Sequence, residues 1–446
     1  MAIRAGLLAL FALFALSACA GAMRSGSEPT PVMASSDGEG APRHIQHVVI
    51  VIHENRSFDN LFATFPGADG ATTGKMSNGK RVPLKKVDFL YPHDLGHSYQ
   101  AFLRDYNKGK MNGFDLEGGG KGQGPAGKEP YQYVDPTQIQ PYWDIAQQYA
   151  LADHLFQTQG SGSFTAHQDL IAGGTAIDET KSLIDFPSAK PWGCDAPQGT
   201  RTSIITTSLD YRYMRGPTPC VDYATLRDLL DEKSVSWKYY SPPVKGSTGS
   251  IWNAFDAIRA VRYGSEWGTN VTFNNNQIFD DIASGTLPAV SWFIPDLSDS
   301  DHPGIHGNTG PSAVADLVNT IGNSGYWKST AIVVVWDDWG GFYDHEPPPF
   351  RDDAGGLGFR VPMLVVSPYT PRGLISHTQY EFGSILKFVE NNWNLGRLGT
   401  SDVRATSMVD CFDFNQRPRR FVPITSQYSH AYFMRRPPSY QPVDTE

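Results

Sequence analysis

The stretch His47-Val48-Val49-Ile50-Val51-Ile52, running on into His53-Glu54-Asn55-Arg56-Ser57-Phe58-Asp59, decides the fold. A continuous β-branched run without polar alternation suits a strand covered on both faces, as in a parallel sheet. Four more runs share this character, at residues 235–240, 289–294, 331–336 and 361–366, each bounded by turn formers or charges. Between and after them the spacing predicts helices over 141–151, 223–232, 313–322 and 381–392. The last has Phe382, Ile385, Leu386 and Val389 at helical spacing. Strands alternating with helices imply an α/β sandwich with a mostly parallel central sheet flanked by helices. Residues 174–219 show no sustained periodicity and read as an irregular insertion able to shape a pocket rim.

Composition narrows the class. With 446 residues, 40% hydrophobic and 19% charged, the chain can bury a large core, which excludes collagen-like, coiled-coil and wholly disordered classes. A net charge of -9 lacks the basic excess of a nucleic-acid binder. It suits an enzyme that draws an anionic substrate in locally, through a metal.

Arg4 precedes an apolar run over 7–16 that is too short to span a bilayer, so residues 1–18 read as an export signal. Leu16-Ser17-Ala18-Cys19 resembles the bacterial lipoprotein box, which implies acylation of Cys19 and a lipid anchor in the cell envelope. Cleavage after Ala18 or Ala20 would instead release a periplasmic or secreted protein. Residues 19–42 are Gly, Ser, Pro, Ala and Glu rich and read as a flexible tether to a folded body over 43–446. Cys194, Cys220 and Cys411 show no CxxC spacing, so no cysteine zinc site is indicated. An oxidising compartment permits a Cys194–Cys220 bridge; three buried thiols are the alternative.

Ligands of open α/β sheets bind at the carboxyl ends of strands. Two of the runs end there in acids. Glu54-Asn55 offers a carboxylate and an amide oxygen, hard ligands for a divalent cation, although Ser57 or Asp59 would also serve as an ordinary helix cap. Asp337-Asp338 sets two like charges side by side at a strand mouth, a cost most simply offset by a cation. Gly160-Ser161-Gly162-Ser163-Phe164-Thr165 is a small-residue turn that does not match the G-x-S-x-G elbow, and a hydroxyl beside a cation loses its proton more readily. His97, His302, His306, His345 and His377 lie in polar loops suited to phosphate contact or proton transfer. Gly122 to Lys128 satisfies G-x-x-x-x-G-K, but Glu129 stands where Ser or Thr should hold magnesium, so it reads as a flexible glycine loop.

His53-Glu54-Asn55-Arg56-Ser57-Phe58-Asp59, the segment from Trp336-Asp337-Asp338 to Asp344-His345, and Ser376-His377-Thr378-Gln379-Tyr380 resemble the bacterial phosphoesterase family that groups phospholipases C with certain acid phosphatases. Tyr326-Trp327-Lys328-Ser329-Thr330 extends the match, which runs from about residue 44 to about 400. The resemblance implies an alkaline phosphatase-like α/β fold over 43–446 and ester hydrolysis by a hydroxyl nucleophile and a bound divalent metal. It implies that Glu54, Asn55, Asp337 and Asp338 are metal ligands and that Ser163 is the nucleophile and a further ligand. His302, in Asp301-His302-Pro303, would contact phosphate or the leaving group, as would His97.

The chain departs from the phospholipase branch at two places. Ser163-Phe164-Thr165-Ala166 stands where that branch has T-x-P-N, and Asp337-Asp338-Trp339-Gly340-Gly341 where it has D-E-H-G-G. Both departures look more like the acid phosphatase branch. The expectation is therefore metal-dependent hydrolysis of phosphate monoesters, with phospholipase C action on phospholipids as the alternative. A metal-free serine esterase and a non-catalytic surface lipoprotein are readings from other classes.

Overall fold

The computed structural model describes residues 44–119, 124–349 and 356–443. The export signal, Cys19, the tether and Gly122 lie outside the described residues. Nine strands form the central sheet: β1 (His47–His53), β2 (Ala150–Phe156), β3 (Trp237–Tyr240), β4 (Val271–Thr272), β5 (Val290–Phe293), β6 (Thr330–Trp336), β7 (Arg360–Val366), β8 (Leu374–Ser376) and β9 (Tyr380–Glu381). Their order is β4-β3-β5-β1-β6-β7-β2-β8, with β9 also beside β2. All pairs are parallel except those on either side of β7, so one strand runs against the other eight.

The β-branched run lies near the middle of this sheet, and Val48 to Ile52 are buried on both faces. Each such side chain contributes about 1.5–3 kcal/mol of apolar burial, which is why the run tolerates no alternation. The main helices are α1 (Phe58–Phe62), α2 (Gln140–Gln148), α3 (Ser163–Ala172), α4 (Leu226–Glu232), α5 (Gly310–Gly322) and α6 (Phe382–Trp393). Among them α2 packs against α5 and α3 against α6. The mostly parallel α/β architecture expected from the run pattern is the one observed.

Two expectations fail locally. The helix expected over 141–151 ends at Gln148, and Ala150-Leu151 opens β2 instead. Ala and Leu favour helix by themselves, but pairing with β7 on one side and β8 and β9 on the other overrides that preference. The supposedly irregular insertion contains a four-stranded antiparallel sheet, Ala176–Asp178, Lys181–Ile184, Ser203–Thr206 and Tyr211–Arg212. Strands of two to four residues are too short to display a period. A Cys194–Cys220 disulfide closes this region, and Cys411 is a buried free thiol.

Candidate active site

Register brings the two acidic pairs together. His53 of β1 sits opposite Trp336 of β6, so both strands end at one level and both chains turn out side by side. The Asp337 amide donates to the His53 carbonyl at 2.9 Å. Asp337 Oδ1 accepts the amides of Asn55 (2.9 Å) and of Asp338 (2.7 Å), locking the two turns to each other. Asn55 takes a left-handed φ of 58°, which asparagine tolerates better than most residues. Gly340 packs against it: a Cβ there would meet the Asn55 carbonyl oxygen at 2.3 Å, so that close approach requires glycine.

Ser163 is the first residue of α3 and is buried. Gly162 precedes it in an extended conformation without capping by a side chain, so the first amides of the helix are not satisfied by α3 itself. The Ser163 hydroxyl donates to Asp338 Oδ2 at 3.3 Å. One turn along the same helix, His167 Nε2 lies 2.7 Å from Glu54 Oε1 and 3.9 Å from Asp337 Oδ2. Ser163, Glu54, Asn55, Asp337 and Asp338 thus converge around one buried centre.

The two histidines of the resemblance flank it. His97 Nδ1 bonds the Leu95 carbonyl at 2.7 Å, so it carries the proton, and Nε2 accepts from Asn55 Nδ2 at 3.0 Å. This fixes the Asn55 amide with Oδ1 turned the other way. His97 Nε2 is also 3.9 Å from Asp338 Oδ2. His302 bonds the Pro303 carbonyl through Nδ1 at 2.5 Å, which leaves Nε2 to face Asp94 at 3.9 Å. Burial pulls both His302 and His167 down to about 4, so each ring is neutral at pH 7 without a bound anion.

Glu54, Asp337 and Asp338 are all fully buried. Burial, then the neighbouring Asp337, pushes the carboxyls of Glu54 and Asp338 well above the carboxylate range. Glu54 Oε2, Asn55 Oδ1 and Asp337 Oδ2 have no hydrogen-bond partner among the described residues. Orphaned buried oxygens are costly, and three hard ones beside an imidazole make a donor set for a divalent cation. Glu54, His167 and Asp337 offer atoms within 4.8 Å of one another. The residues fit the metal that the sequence pattern implied.

The Phosphoesterase family matches residues 45–396. The chain belongs to that family. The chemistry that goes with membership is hydrolysis of phosphoric esters. The chain is 25% identical to the phospholipase C B of Mycobacterium tuberculosis over 93% of its own length and 86% of the relative's. It is 26% identical to the non-specific phospholipase C1 of Arabidopsis thaliana, over 85% and 73%. With the non-hemolytic phospholipase C of Burkholderia pseudomallei it shares 25% identity over 80% of this chain but 56% of that one, so it spans little more than half of that relative's length. A solved member of the alkaline phosphatase superfamily from Vibrio parahaemolyticus is similar over 83% of this chain and 72% of its own, at 10% identity and a TM-score of 0.37. The α/β architecture rests on the sheet order above.

Ser163, Glu54, Asn55, Asp337 and Asp338 lie together with His97 and His302 beside them, whereas His345 bonds Asp59, His377 bonds Asp153 at the surface, and His306 is exposed. Two participants were not expected. His167 lies four residues after Ser163, the spacing that puts two side chains on one face of a helix, so the signal was present in the sequence. Trp252 stacks on His167 (6.3 Å between ring centroids, 3° between planes) and tilts on His302 (5.7 Å). No local pattern marked it, because it arrives from a loop far along the chain. Arg56 of the E-N-R-S-F-D string serves structure: it is buried between Phe89 and Phe342, 5.1 Å from each ring, and donates to the carbonyls of Asp301 and Phe89. Ser57 caps α1, accepting the Asn60 amide.

Proposed function

We propose that the protein is a metal-dependent phosphoric diester hydrolase of phospholipase C type, using Ser163 as nucleophile. The observation that carries this reading is the Ser163 hydroxyl, 3.3 Å from Asp338 and beside orphaned Glu54 and Asp337 oxygens at the start of a helix. The relatives named phospholipase C, matched over most of the chain, support the diester over the monoester expected from the motif departures. Glu54, Asn55, Asp337, Asp338 and Ser163 would hold the divalent cation, with His167 as a further donor. That cation supplies charge neutralisation and a lowered pKa for the bound hydroxyl.

The remaining work falls to the chain. Asp338 accepts the Ser163 hydroxyl's hydrogen bond, orients Oγ, and takes its proton as Oγ attacks phosphorus. The free amides at the start of α3 receive phosphoryl oxygens. A bound phosphate's negative charge raises the proton affinity of His302, whose Nε2 takes a proton from solvent and gives it to the departing alcohol. Water next releases the phosphorylated headgroup from Ser163. His97 holds the Asn55 amide in place.

Phosphomonoester hydrolysis remains a second reading, favoured by Ser163-Phe164-Thr165-Ala166 and by Trp339 in the position of an imidazole. The Ser163 hydroxyl bonds a carboxylate rather than a ring nitrogen, which speaks against a metal-free serine esterase. The deciding experiment measures kcat/KM on phosphatidylcholine vesicles and on p-nitrophenyl phosphate with the same metal-loaded protein. At least tenfold preference for the diester is expected; the reverse preference would make it a monoesterase. Ser163→Ala should lose both activities. Export by residues 1–18 and anchoring through Cys19 are part of the proposal, tested by radiolabelled palmitate incorporation into the wild type and Cys19→Ala. No helix among the described residues is long and apolar enough to cross a membrane.

A further inference from the structure

The insertion over residues 174–219 reaches the nucleophile. Its strand Lys181–Ile184 runs directly into Asp185-Phe186. Asp185 is buried and takes a left-handed φ of 62°. Its amide donates to Ser161 Oγ at 2.9 Å, and its carboxylate accepts the Tyr99 amide at 2.5 Å and the Tyr211 hydroxyl at 2.6 Å. A backbone held in a sparsely populated region by several partners fixes the direction of the residue that follows. Ser161 lies two residues before Ser163, so this loop and the nucleophile turn are fastened to each other.

Phe186 is thereby set against two parts of the centre. Its ring meets that of His97 edge to face, 5.6 Å between centroids and 89° between planes. The far end of the ring rests on the backbone just before the nucleophile. A Cβ on Gly162 would stand 2.2 Å from Phe186 Cζ, so the close approach requires glycine there. Trp192 packs on Phe186 at 5.5 Å and Phe164 on Trp192 at 5.9 Å; both of these are buried, whereas Phe186 is partly exposed. An apolar face therefore stands open beside Ser163, next to a centre otherwise built from carboxylates, an amide and imidazoles. A phosphate monoester carries one organic group, and that group leaves. A diester carries a second, uncharged substituent that stays on phosphorus, and an aromatic face is the neighbour that gains by covering it.

We propose that Phe186 is a specificity-determining residue that receives the ester substituent retained on phosphorus; this rests on the diester reading above and deepens it. The test compares bis(p-nitrophenyl) phosphate with p-nitrophenyl phosphate on the metal-loaded full chain. The two share a leaving group and differ in the retained substituent. The readout is the ratio of kcat/KM for the diester to that for the monoester. Phe186→Ala should lower this ratio about fivefold or more, chiefly through KM for the diester, and Phe186→Leu, which restores apolar bulk, should recover most of it. If the alanine variant fails to fold, Phe186→Gln keeps the length of the side chain without its apolar face and should lower the ratio in the same way. A side chain that merely holds the Ser163 turn in place would depress both substrates together and leave the ratio alone. A ratio that falls by less than fivefold overturns the proposal while the diester reading stands. Wild-type protein that does not hydrolyse the diester removes that reading, and this proposal with it.

Discussion

The same two chain segments build two buried acidic clusters of opposite kinds. In the pocket, Glu54, Asp337 and Asp338 face one another, and Glu54 and Asp337 each keep an oxygen with no hydrogen-bond partner among the described residues. A few residues further along each segment, Asp59 and Asp344 are as deeply buried, but they close on the Arg360 guanidinium, which sits 4.4 Å over the Phe58 ring. One cluster is matched by Arg360, and the other leaves oxygens unpaired among the described residues. The difference separates a scaffold from a site: matched buried charge holds the turns in place, and unmatched buried charge is held there by that scaffold for use.

Breaking the pocket should show up in rate and not in stability. Asp338→Asn is expected to lower kcat by about 10³ or more, the scale of losing a preorganised charge. Its chelated form should melt no lower than the wild type, because a buried like-charge contact has been relieved. Equal activity of the variant on a chromogenic ester would remove Asp338 from the centre. Breaking the matched cluster should do the opposite. Arg360→Met leaves Asp59 and Asp344 uncompensated and is expected to cost about 3–5 kcal/mol in urea unfolding, with less than tenfold change in kcat where the protein is folded. If its stability is unchanged, the guanidinium is not the counter-charge described here.

Smaller effects sharpen the contrast. His97→Ala frees the Asn55 amide to rotate and should weaken metal affinity or activity by about 10–100-fold, partly recovered by raising the metal concentration. A drop in kcat unaffected by metal concentration would assign His97 a direct part in the chemistry instead. Chelation should abolish ester hydrolysis and be reversed by added divalent metal. Tm should fall by only a few degrees on chelation, since the loss is of bound ligand and not of the core.

The legible parts were those written in local order. The β-branched runs show as strands because burial on both faces allows no polar residue, and E-N-R-S-F-D and D-D-W-G-G-F-Y-D-H stand at strand ends where the turn chemistry is dense. The helical pattern runs on through Ala150-Leu151, which favour helix by themselves and open strand β2 only through its neighbours. The offset of His167 from Ser163 stands in the sequence, but an isolated histidine on a helix is usually only packing. Trp252 had no signal at all.

The sequence alone determined the parallel α/β class, the two acidic pairs and the candidate hydroxyl, because each is a short-range pattern of residue type and spacing. Only the tertiary structure decided that His53 stands opposite Trp336. That register sets Glu54 and Asn55 beside Asp337 and Asp338, nearly three hundred residues away. It also decided which buried acids receive Arg360 and which are left with oxygens unpaired. Charge matching depends on distance in space, and distance in space between remote segments is set by sheet pairing, which no local window of residues contains.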